Sequence, residues 1–291
     1  MDEITLKALA KINLGLDVVR RREDGYHEVR MIMQTIHLYD LLEIQKIREP
    51  GIQIVSNLSF LPVNENNLVY KAARLLQEEF ALTDGISVKL TKRIPVAAGM
   101  AGGSTDAAAI LYAMNQLYDL GLSRRELMKR GVQIGADVPY CLMRGTALAE
   151  GIGEKLTQLP PMIKCPVLIA KPSISVSTRF VYQNLKLDEQ TNHPDIDALM
   201  KDIREKDFDG VCAHMGNVLE SVTIPNYPVI AEIKQQMMRS GAKASMMSGS
   251  GPTVFGLFED GETAKRALRE MKRSGLAKQV YLTTIYNNRR K

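Results

Sequence analysis

The sequence predicts a two-domain protein of the α+β class. The chain begins with four segments of alternating, β-branched residues, a pattern typical of a sheet, and helical periodicity follows. Its second half contains predicted helices and strands in an order that suggests a split β-α-β arrangement. A proline-rich stretch from Leu159 to Pro172 lies between the halves and favours a domain boundary, which we place near Glu154. We therefore expect one domain over residues 1–154 and a second over residues 155–291.

The elements of the first predicted domain follow from hydrophobic periodicity and from capping residues. Ser104 is expected to cap a helix rich in Ala, Leu and Met, and Ser123 with Glu126 is expected to form a capping box at the next one. In chain order we predict strands at Ile4–Ala10, Asn13–Val19, Glu28–Leu38 and Leu41–Ile47, a helix at Leu68–Ala81, a strand at Ile86–Leu90, helices at Thr105–Leu117 and Ser123–Val132, and a strand at Thr146–Ala149.

The same periodicities define the second predicted domain. The polar stretch Gln183–Thr191 is expected to be a surface loop. In chain order we predict a strand at Val167–Ala170, helices at Asp195–Arg204 and Val229–Ser240, strands at Ala242–Met247 and Val254–Phe258, a helix at Glu262–Ser274 and a strand at Val280–Ile285.

Composition indicates a globular protein with a substantial core. The chain has 291 residues, of which 45% are hydrophobic, enough for one large domain or two moderate ones. Its longest apolar runs are too short to span a membrane, and the N-terminus lacks the basic and apolar regions of a signal peptide. We therefore expect a cytoplasmic protein that has no membrane partner.

Charge and cysteine content exclude several classes of function. The 38 basic and 33 acidic residues give a net charge of +5 and are mostly interspersed, which argues against a nucleic-acid partner and is compatible with small anionic substrates. Cys141, Cys165 and Cys212 are too far apart for a disulfide framework or a CxxC metal site, so we expect reduced, mostly buried thiols. The sequence has no repeat of fixed period, which disfavours solenoid and propeller folds.

The segment from Pro95 to Ala108 has the composition of a phosphate-binding loop. Gly99, Gly102 and Gly103 would permit φ values that a side chain disfavours, so that successive N–H groups converge on one anion. The helix that follows would add free N–H groups and a dipole that favours the same charge. Neither the lysine of a Walker A loop nor the spacing of a dinucleotide-binding turn is present, so a different phosphate loop is predicted. The alternative is an ordinary glycine-containing loop that carries a helix cap.

Two clusters near the N-terminus place polar side chains in predicted strands. Lys11 interrupts an apolar strand pattern; it could snorkel from a sheet edge, or its charge could meet a phosphate or lower the pKa of a neighbouring hydroxyl. An Asp-Gly dipeptide predicts a hairpin turn, after which Tyr26 could stack on a flat ring while His27 bonds its polar edge. A purely structural role is the alternative for both clusters.

Two further clusters lie later in the chain. In Gly135–Pro139, Asp137 stands between a small-residue turn and a proline that favours extended backbone before it, so it is either a candidate general base or a turn cap. Asp106 lies in the first turn of a predicted helix and is explained by the helix dipole. The glycine turn in Met247–Val254 could approach a ligand closely, or could be an ordinary connection between strands.

Taken in order, these motifs resemble the GHMP kinase superfamily over nearly the whole chain. That superfamily combines an N-terminal lysine segment, a central glycine-rich phosphate loop and a C-terminal glycine turn, which correspond here to Ala10–Leu14, Pro95–Thr105 and Ser248–Thr253. With Asp24–His27 and Gly135–Pro139, they are most similar to the branch that phosphorylates a cytidylated sugar alcohol in the non-mevalonate, or methylerythritol phosphate, isoprenoid pathway. The resemblance implies a ribosomal-protein S5-like first domain, a ferredoxin-like second domain and an ATP-dependent small-molecule kinase.

The resemblance also implies a role for each motif residue. Lys11 and Asp137 would form the catalytic pair, in which Asp137 accepts the proton of the acceptor hydroxyl and Lys11 orients that hydroxyl and stabilises charge near the transferring phosphoryl group. ATP would be the co-substrate and would be accompanied by Mg²⁺; no residue is assigned to the metal. The protein would act as a monomer or weak homodimer. The other implied assignments are ATP binding for Lys92, Pro95, Val96, Ala97, Ala98, Gly99, Met100, Ala101, Gly102, Gly103, Ser104 and Thr105, substrate binding for Asn13, Tyr26 and His27, and an active-site turn for Gly249, Ser250 and Gly251.

One position of the phosphate loop departs from the superfamily pattern, since Ala101 stands where a glycine is usual. If this position requires a positive φ, alanine would strain the loop by about 1 to 2 kcal/mol; if it is right-handed, little changes. The alanine therefore bears on the affinity of the loop for phosphate more than on the type of reaction that the protein would catalyse.

Two other functions stay open at this point. One is a different kinase of the superfamily, acting on homoserine or in the mevalonate pathway, which the Tyr26–His27 pair disfavours. The other is a non-catalytic metabolite-binding protein on the same scaffold, which would not need Lys11 and Asp137.

Overall fold

The computed structural model describes residues 2–189 and 191–288. The chain divides into two compact units, each of which gathers segments that are distant in sequence. The prediction divides the chain at a single point, after residue 154, and that boundary stays a prediction. Unit 1 comprises Met1–Ala10, Leu38–Val96 and Ala101–Met143, and unit 2 comprises Lys11–His37, Ala97–Met100 and Arg144–Lys291.

Strands and helices are interspersed along the described part of the chain. The strands are β1 Glu3–Arg21, β2 His27–Ile47, β3 Ile52–Ser56, β4 Gly85–Thr91, β5 Thr146–Gly151, β6 Lys155–Gln158, β7 Pro166–Lys171, β8 Gly216–Asn217, β9 Ala244–Met247, β10 Val254–Leu257 and β11 Gln279–Thr284. The helices are α1 Leu68–Glu79, α2 Gly102–Leu117, α3 Arg124–Ile134, α4 Val138–Met143, α5 Thr178–Asn184, α6 Ile196–Glu205, α7 Phe208–His214, α8 Glu220–Asn226, α9 Val229–Arg239 and α10 Gly261–Ser274.

In unit 1, β4 lies between two other strands. The second half of β2 pairs with it in antiparallel register, from Leu41 opposite Thr91 to Ile47 opposite Gly85. On its other side, β3 pairs with it in parallel. Helices α1, α3 and α4 all contact α2. Because α2 consists largely of Ala, Leu, Ile and Met and is buried on most of its surface, it is the central helix of this unit.

Unit 2 contains a four-stranded antiparallel sheet in the order β11-β7-β10-β9. Numbered along the chain, this is the order 4-1-3-2 of a ferredoxin-like fold, which confirms the predicted split β-α-β arrangement. Helix α9 contacts β9 and β10, and α10 contacts β7 and β11. The same unit holds the first half of β2, paired with β5, and a short parallel pairing of β1 with β8.

The four strands predicted at the N-terminus are two long ones. Strand β1 runs unbroken through Lys11, and β2 runs unbroken through Asp40, because both side chains are buried and bonded inside the protein rather than exposed at strand ends. The predicted cap of the third helix is confirmed, since Ser123 and Glu126 form a capping box at the start of α3.

Seven short elements are absent from the sequence-based prediction, because their few residues show no clear periodicity. They are β3, β6, β8, α4, α5, α7 and α8. The predicted loop Gln183–Thr191 is wrong at its beginning, since α5 continues to Asn184, and Gln190 lies outside the described residues.

The buried cysteines agree with the expectation from composition. Cys141 and Cys165 are buried, and burial raises the pKa of Cys165 to about 12, so its thiol is a poor nucleophile at neutral pH. Among the described residues, every helix is too short or too polar to cross a bilayer.

The capping box gives a test of the unit 1 fold. The Ser123 hydroxyl accepts the Glu126 N–H at 3.3 Å, and the Glu126 carboxylate accepts the Ser123 N–H at 2.8 Å. We expect Ser123→Ala to lower the free energy of unfolding by about 1 kcal/mol, measured by urea denaturation, because the helix start loses a side-chain acceptor. Ser123→Thr keeps that acceptor and serves as the control; an equal loss in both variants would contradict the capping role.

Candidate active site

The predicted phosphate loop has alternating backbone handedness. Ala97, Gly99 and Ala101 have φ values of 49°, 71° and 55°, whereas the intervening Ala98 and Met100 have negative φ. Such alternation turns successive N–H groups toward one side of the chain and forms a concave site for an anion. Ala98 and Met100 are buried, at 3% and 1% exposed, so their side chains anchor the loop. The loop therefore has the backbone geometry that the glycine pattern predicts, although alanine provides two of its left-handed positions.

The start of α2 differs from the sequence prediction. The helix begins at Gly102, three residues earlier than expected, with Ala101 as an N-cap that makes no side-chain hydrogen bond. The predicted left-handed roles of Gly102 and Gly103 are therefore wrong, since both are helical. Ser104 is the third residue of the helix rather than its cap. A side chain at position 102 would lie 3.3 Å from the Lys92 Nζ atom, so this glycine permits close packing instead.

Ala101 adopts the left-handed conformation, with φ 55° and ψ 31°. The departure from the superfamily pattern thus falls where glycine is favoured, and alanine costs about 1 to 2 kcal/mol there. The backbone nevertheless reaches this conformation, and the Thr105 N–H donates to the Ala101 carbonyl at 2.8 Å as the first bond of the helix. The alanine therefore strains the loop, but the backbone keeps the left-handed conformation at this position.

The C-terminal glycine turn packs directly on the phosphate loop. The Ser248 hydroxyl donates to the Gly99 carbonyl at 3.0 Å. A Cβ at position 99 would lie only 2.1 Å from the Ser248 carbonyl oxygen, so this contact requires glycine, as does the positive φ. Within the turn, which includes Gly249, Ser250 and Gly251, the Ser248 N–H donates to the Thr253 carbonyl at 2.9 Å. The turn is thus part of the same local structure as the loop.

Asn217 holds this turn in place and was not singled out from the sequence. Its buried amide donates to the Met247 and Gly249 carbonyls at 2.9 and 2.8 Å. The Glu220 carboxylate accepts the Met247 N–H at 2.8 Å. In the sequence, an amide three residues before an acid is the only signal, and many sequences share that spacing; the structure places Asn217 before α8 and Glu220 as the first residue of that helix.

Lys11 and Asn13 lie on the same face of β1, two residues apart. Lys11 is 5% exposed and Asn13 is fully buried, and the Lys11 ammonium donates to the Asn13 side-chain oxygen at 2.9 Å. The Lys11 N–H donates to the carbonyl of Met100, in the phosphate loop, at 3.2 Å. A lysine that snorkels from a sheet edge is therefore excluded. These bonds bring Lys11, Asn13 and the loop together within unit 2.

Asp137 is half-buried and directly precedes α4. Its carbonyl accepts the Cys141 N–H at 3.0 Å, so it occupies the N-cap position of this short helix. The extended backbone expected before Pro139 is wrong, because Pro139 is the second residue of α4, where its missing N–H costs no helical bond. Asp137 belongs to unit 1 and Lys11 to unit 2. Their catalytic pairing stays a prediction.

Tyr26 and His27 emerge from a tight turn. The Asp24 carboxylate accepts the Tyr26 N–H at 3.0 Å, and Tyr26 is 61% exposed. His27 begins β2, and its ring lies 5.1 Å from that of Tyr182, between ring centroids. Burial, with a smaller effect of Arg21, lowers the pKa of His27, so its imidazole is neutral at pH 7.

A cavity of about 320 Å³ lies beside the rings of His27 and Tyr182, and Tyr26 is not among the residues that line it. His27, Tyr182 and Leu185 are among the residues that line it. Tyr182 is on α5, a helix that the sequence did not predict, so its position next to His27 could not be foreseen. The cavity combines the aromatic ring of Tyr182 with the neutral imidazole of His27, which suits a flat heterocycle.

Lys92 lies in the interior of unit 1. Its side chain is 4% exposed, and the ammonium donates to Asp40 at 2.5 Å and to Asp106 at 2.7 Å. Burial alone would lower the pKa of Lys92, but the two carboxylates outweigh it and raise the pKa. Asp106 is buried and paired, so the dipole explanation given from the sequence is incomplete. ATP binding by Lys92 stays a prediction.

Within residues 2–189 and 191–288, no group of three or more His, Cys, Asp or Glu side chains could hold a metal ion.

Family models and known proteins match this chain over most of its length. The model described as GHMP kinases N terminal domain matches residues 67–145, and that described as GHMP kinases C terminal matches residues 199–277. A 4-diphosphocytidyl-2-C-methyl-D-erythritol kinase from Lachnospira eligens is 58% identical over 286 residues, which are 98% of this chain and 99% of the relative.

Solved structures have the same fold. The crystal structure of a 4-(cytidine 5'-diphospho)-2C-methyl-D-erythritol kinase matches with a TM-score of 0.85 and 31% identity, over 98% of this chain and 100% of the other. A homoserine kinase from Cytophaga hutchinsonii matches with a TM-score of 0.80 and 22% identity, over 98% and 95% of the two chains, and shows the fold alone. These matches confirm the predicted two-domain α+β fold.

The left-handed alanine gives a direct test of loop strain. We expect Ala101→Gly to raise the free energy of unfolding by about 0.5 to 1 kcal/mol, because relief of the left-handed strain outweighs the greater entropy of the unfolded chain. Urea denaturation measures the change. Ala98→Gly is the matched control, since Ala98 has negative φ and a buried side chain, and we expect it to lose stability. A less stable Ala101→Gly variant would contradict the assigned backbone conformation.

Proposed function

The chain belongs to the 4-diphosphocytidyl-2-C-methyl-D-erythritol kinases of the GHMP kinase superfamily, and we propose that it uses ATP to phosphorylate the 2-hydroxyl of 4-diphosphocytidyl-2-C-methyl-D-erythritol. The products would be the 2-phosphate and ADP, in the methylerythritol phosphate route to isoprenoid precursors. The observation that carries this proposal is the buried Lys11–Asn13 pair, bonded through the Lys11 N–H to a loop of alternating handedness.

The loop Pro95–Thr105 is proposed to hold the ATP phosphates. Alternating φ values at Ala97–Ala101 aim backbone N–H groups at one anion, and the N-terminus of α2 adds unpaired N–H groups and a positive dipole end. The Ser248–Gly251 turn supports the proposal because it fixes the Gly99 carbonyl. The phosphates would thus be bound mainly by backbone, which explains why this loop needs no Walker-type lysine.

Mg²⁺ is expected to bind chiefly to the ATP phosphates. Magnesium keeps several waters and needs only one or two protein oxygens. Ser104, in the first turn of α2, offers a hydroxyl where the phosphates would bind. The ion would neutralise part of the charge on the transferring group.

The cytosine ring of the acceptor is proposed to bind in the cavity beside His27. Tyr182 lines this cavity beside His27 and offers an aromatic face on which a pyrimidine can stack. Tyr26 is largely exposed and is not one of the lining residues, so its contact with the ring is part of the proposal. The neutral His27 imidazole has one donor and one acceptor nitrogen, which can bond the polar edge of the ring. Asn13, held by Lys11 and by contact with Met31, would orient the sugar alcohol.

In the proposed transfer step, the 2-hydroxyl oxygen bonds to the γ-phosphorus while the bond from that phosphorus to the bridging oxygen breaks. Asp137 accepts the hydroxyl proton, and the bridging oxygen leaves with ADP. Lys11 contributes a fixed positive charge beside the reacting oxygens, which stabilises the charge that develops there. The backbone of Asp137 is held at the start of α4, because its carbonyl accepts the Cys141 N–H. This limits the positions that the side chain can take, as a general base requires.

A comparison of three alcohol substrates, each assayed separately, tests the proposed acceptor. We expect ADP release with 4-diphosphocytidyl-2-C-methyl-D-erythritol and none above background with homoserine or mevalonate, measured by coupled assay at equal concentrations. The cavity beside His27 favours a heterocycle that the other two alcohols lack. Turnover of homoserine or mevalonate without turnover of the cytidylated alcohol would contradict the proposed acceptor. Nucleotide binding without turnover of any of the three would support a non-catalytic role.

Removing the proposed base tests the mechanism. We expect Asp137→Asn to lower kcat by about 10²- to 10⁴-fold, because the hydroxyl loses its proton acceptor. ATP affinity, measured by calorimetry, should change little. Asp84→Asn, which breaks a partly exposed ion pair with Lys46 in the same unit, is the control and should keep full turnover. An unchanged kcat in Asp137→Asn would remove this residue as the base.

A further inference from the structure

Asp40, Lys92 and Asp106 form a buried cluster that spans the two ends of the phosphate loop. We propose that this cluster positions the loop by tying the chain that enters it to the helix that leaves it, and that Lys92 is a positioning residue rather than a ligand of ATP. The inference rests on the proposed function, since it assumes that this loop binds ATP.

Asp40 fixes the chain that enters the loop. One oxygen of its carboxylate, Oδ1, accepts the Arg93 and Ile94 N–H groups at 2.5 and 2.8 Å, immediately before Pro95. The other oxygen, Oδ2, accepts the Lys92 ammonium. All three bonds need an acceptor on Asp40, and a carboxylate provides acceptors at both oxygens. The backbone before the loop is therefore held by one fully buried side chain.

Lys92 connects this chain to α2. Its ammonium donates to Oδ2 of Asp106, which lies four residues after the helix start, and a Cβ at Gly102 would be 3.3 Å from its nitrogen. A cation close to a helix N-terminus is unfavourable, because the helix dipole is positive there. Two carboxylates offset this cost. The helix dipole does not stabilise a lysine at this place. Its ammonium instead joins the chain before the loop to the start of α2, through Asp40 and Asp106.

The two carboxylates of the cluster are not equivalent. Burial raises the pKa of Asp106 well above its usual range, and the Asp40 charge raises it further, against the opposing effect of Lys92. Oδ1 of Asp106 is buried and has no hydrogen-bond partner within the described chain. Asp40 accepts three hydrogen bonds and uses both carboxylate oxygens for them, whereas Asp106 accepts one, from Lys92. Position 40 therefore needs two acceptor oxygens, whereas one acceptor is enough at position 106.

This asymmetry separates the proposed role from direct ATP binding. In Asp40→Asn, an amide donor must face either the Lys92 ammonium or the two backbone N–H groups, so one set of bonds is lost. In Asp106→Asn, the amide oxygen can still accept from Lys92, so the bond that ties Lys92 to α2 is kept. Burial also argues against direct contact, since the Lys92 side chain is 4% exposed.

The experiment compares the Kd for ATP, by calorimetry, in the wild type, Asp40→Asn, Asp106→Asn and Lys92→Met. We expect Asp40→Asn and Lys92→Met to weaken ATP binding by about tenfold to a hundredfold, because a small displacement of a positioned group has effects of this size. Asp106→Asn should stay within about threefold of the wild type. The KM for the alcohol substrate should be unchanged in all of them.

Asn115→Ala provides the matched control for a loss of stability alone. Asn115 is buried near the other end of α2, where its side chain bonds the Leu122 N–H and carbonyl, each at 2.9 Å. We expect this variant to lower the melting temperature without weakening ATP binding. All Kd values are measured at a temperature where each variant is folded, as shown by circular dichroism.

Two results would overturn the proposal. If Lys92→Met loses ATP affinity while Asp40→Asn keeps it within about twofold, Lys92 is a direct ligand. If every variant, including Asn115→Ala, loses stability with an unchanged Kd, the cluster is merely structural. Because ATP binding is measured without the acceptor, failure of the wild type to phosphorylate the cytidylated alcohol would reject the proposed substrate and leave this test intact.

Discussion

The close approach of Gly99 to Ser248 is the contact on which the rest of the candidate site depends. The Ser248 carbonyl lies where a Cβ of residue 99 would be, and the Ser248 hydroxyl bonds the Gly99 carbonyl. The next carbonyl, that of Met100, accepts the Lys11 N–H. The Ser248 hydroxyl and the Lys11 N–H, which donate to adjacent carbonyls of the loop, thus join three segments that are far apart in sequence. Any side chain at position 99 would separate them, so this glycine is a steric requirement as well as a conformational one.

A set of buried polar side chains maintains this backbone contact. Asn217 donates to two carbonyls of the glycine turn, and Glu220 accepts one of its N–H groups while pairing with Lys234 at 2.5 Å. A buried polar group without a partner costs about 1 to 3 kcal/mol, so these groups favour the one arrangement in which all are paired. The turn therefore keeps its shape although its glycines and serines could adopt many others.

Periodicity and motif composition predicted the larger elements and the phosphate loop, but not the details that depend on tertiary contacts. The start of α2 was placed at Ser104–Thr105 because serine is a preferred N-cap, whereas the structure uses Ala101. Lys11 was expected to interrupt a strand, and only its bond to Asn13 shows why it does not. Tyr182 lies beside His27 because of a helix too short to show periodicity. Lys11 and Tyr182 depend on tertiary contacts that local sequence patterns do not show. The Ala101 N-cap depends on a left-handed backbone that alanine disfavours, so the sequence pointed to another residue.

The alternating handedness of the loop explains why alanine is tolerated at position 101. Reversing φ at every second residue is the feature that turns the N–H groups to one side, so position 101 must be left-handed whichever residue occupies it. An alanine there costs about 1 to 2 kcal/mol, which fixed neighbours can impose. Helix α2 follows directly, and its entry is bonded through Asp106 to Lys92. The strain is thus confined to a single residue between two anchored segments, and phosphate binding by the loop need not decrease.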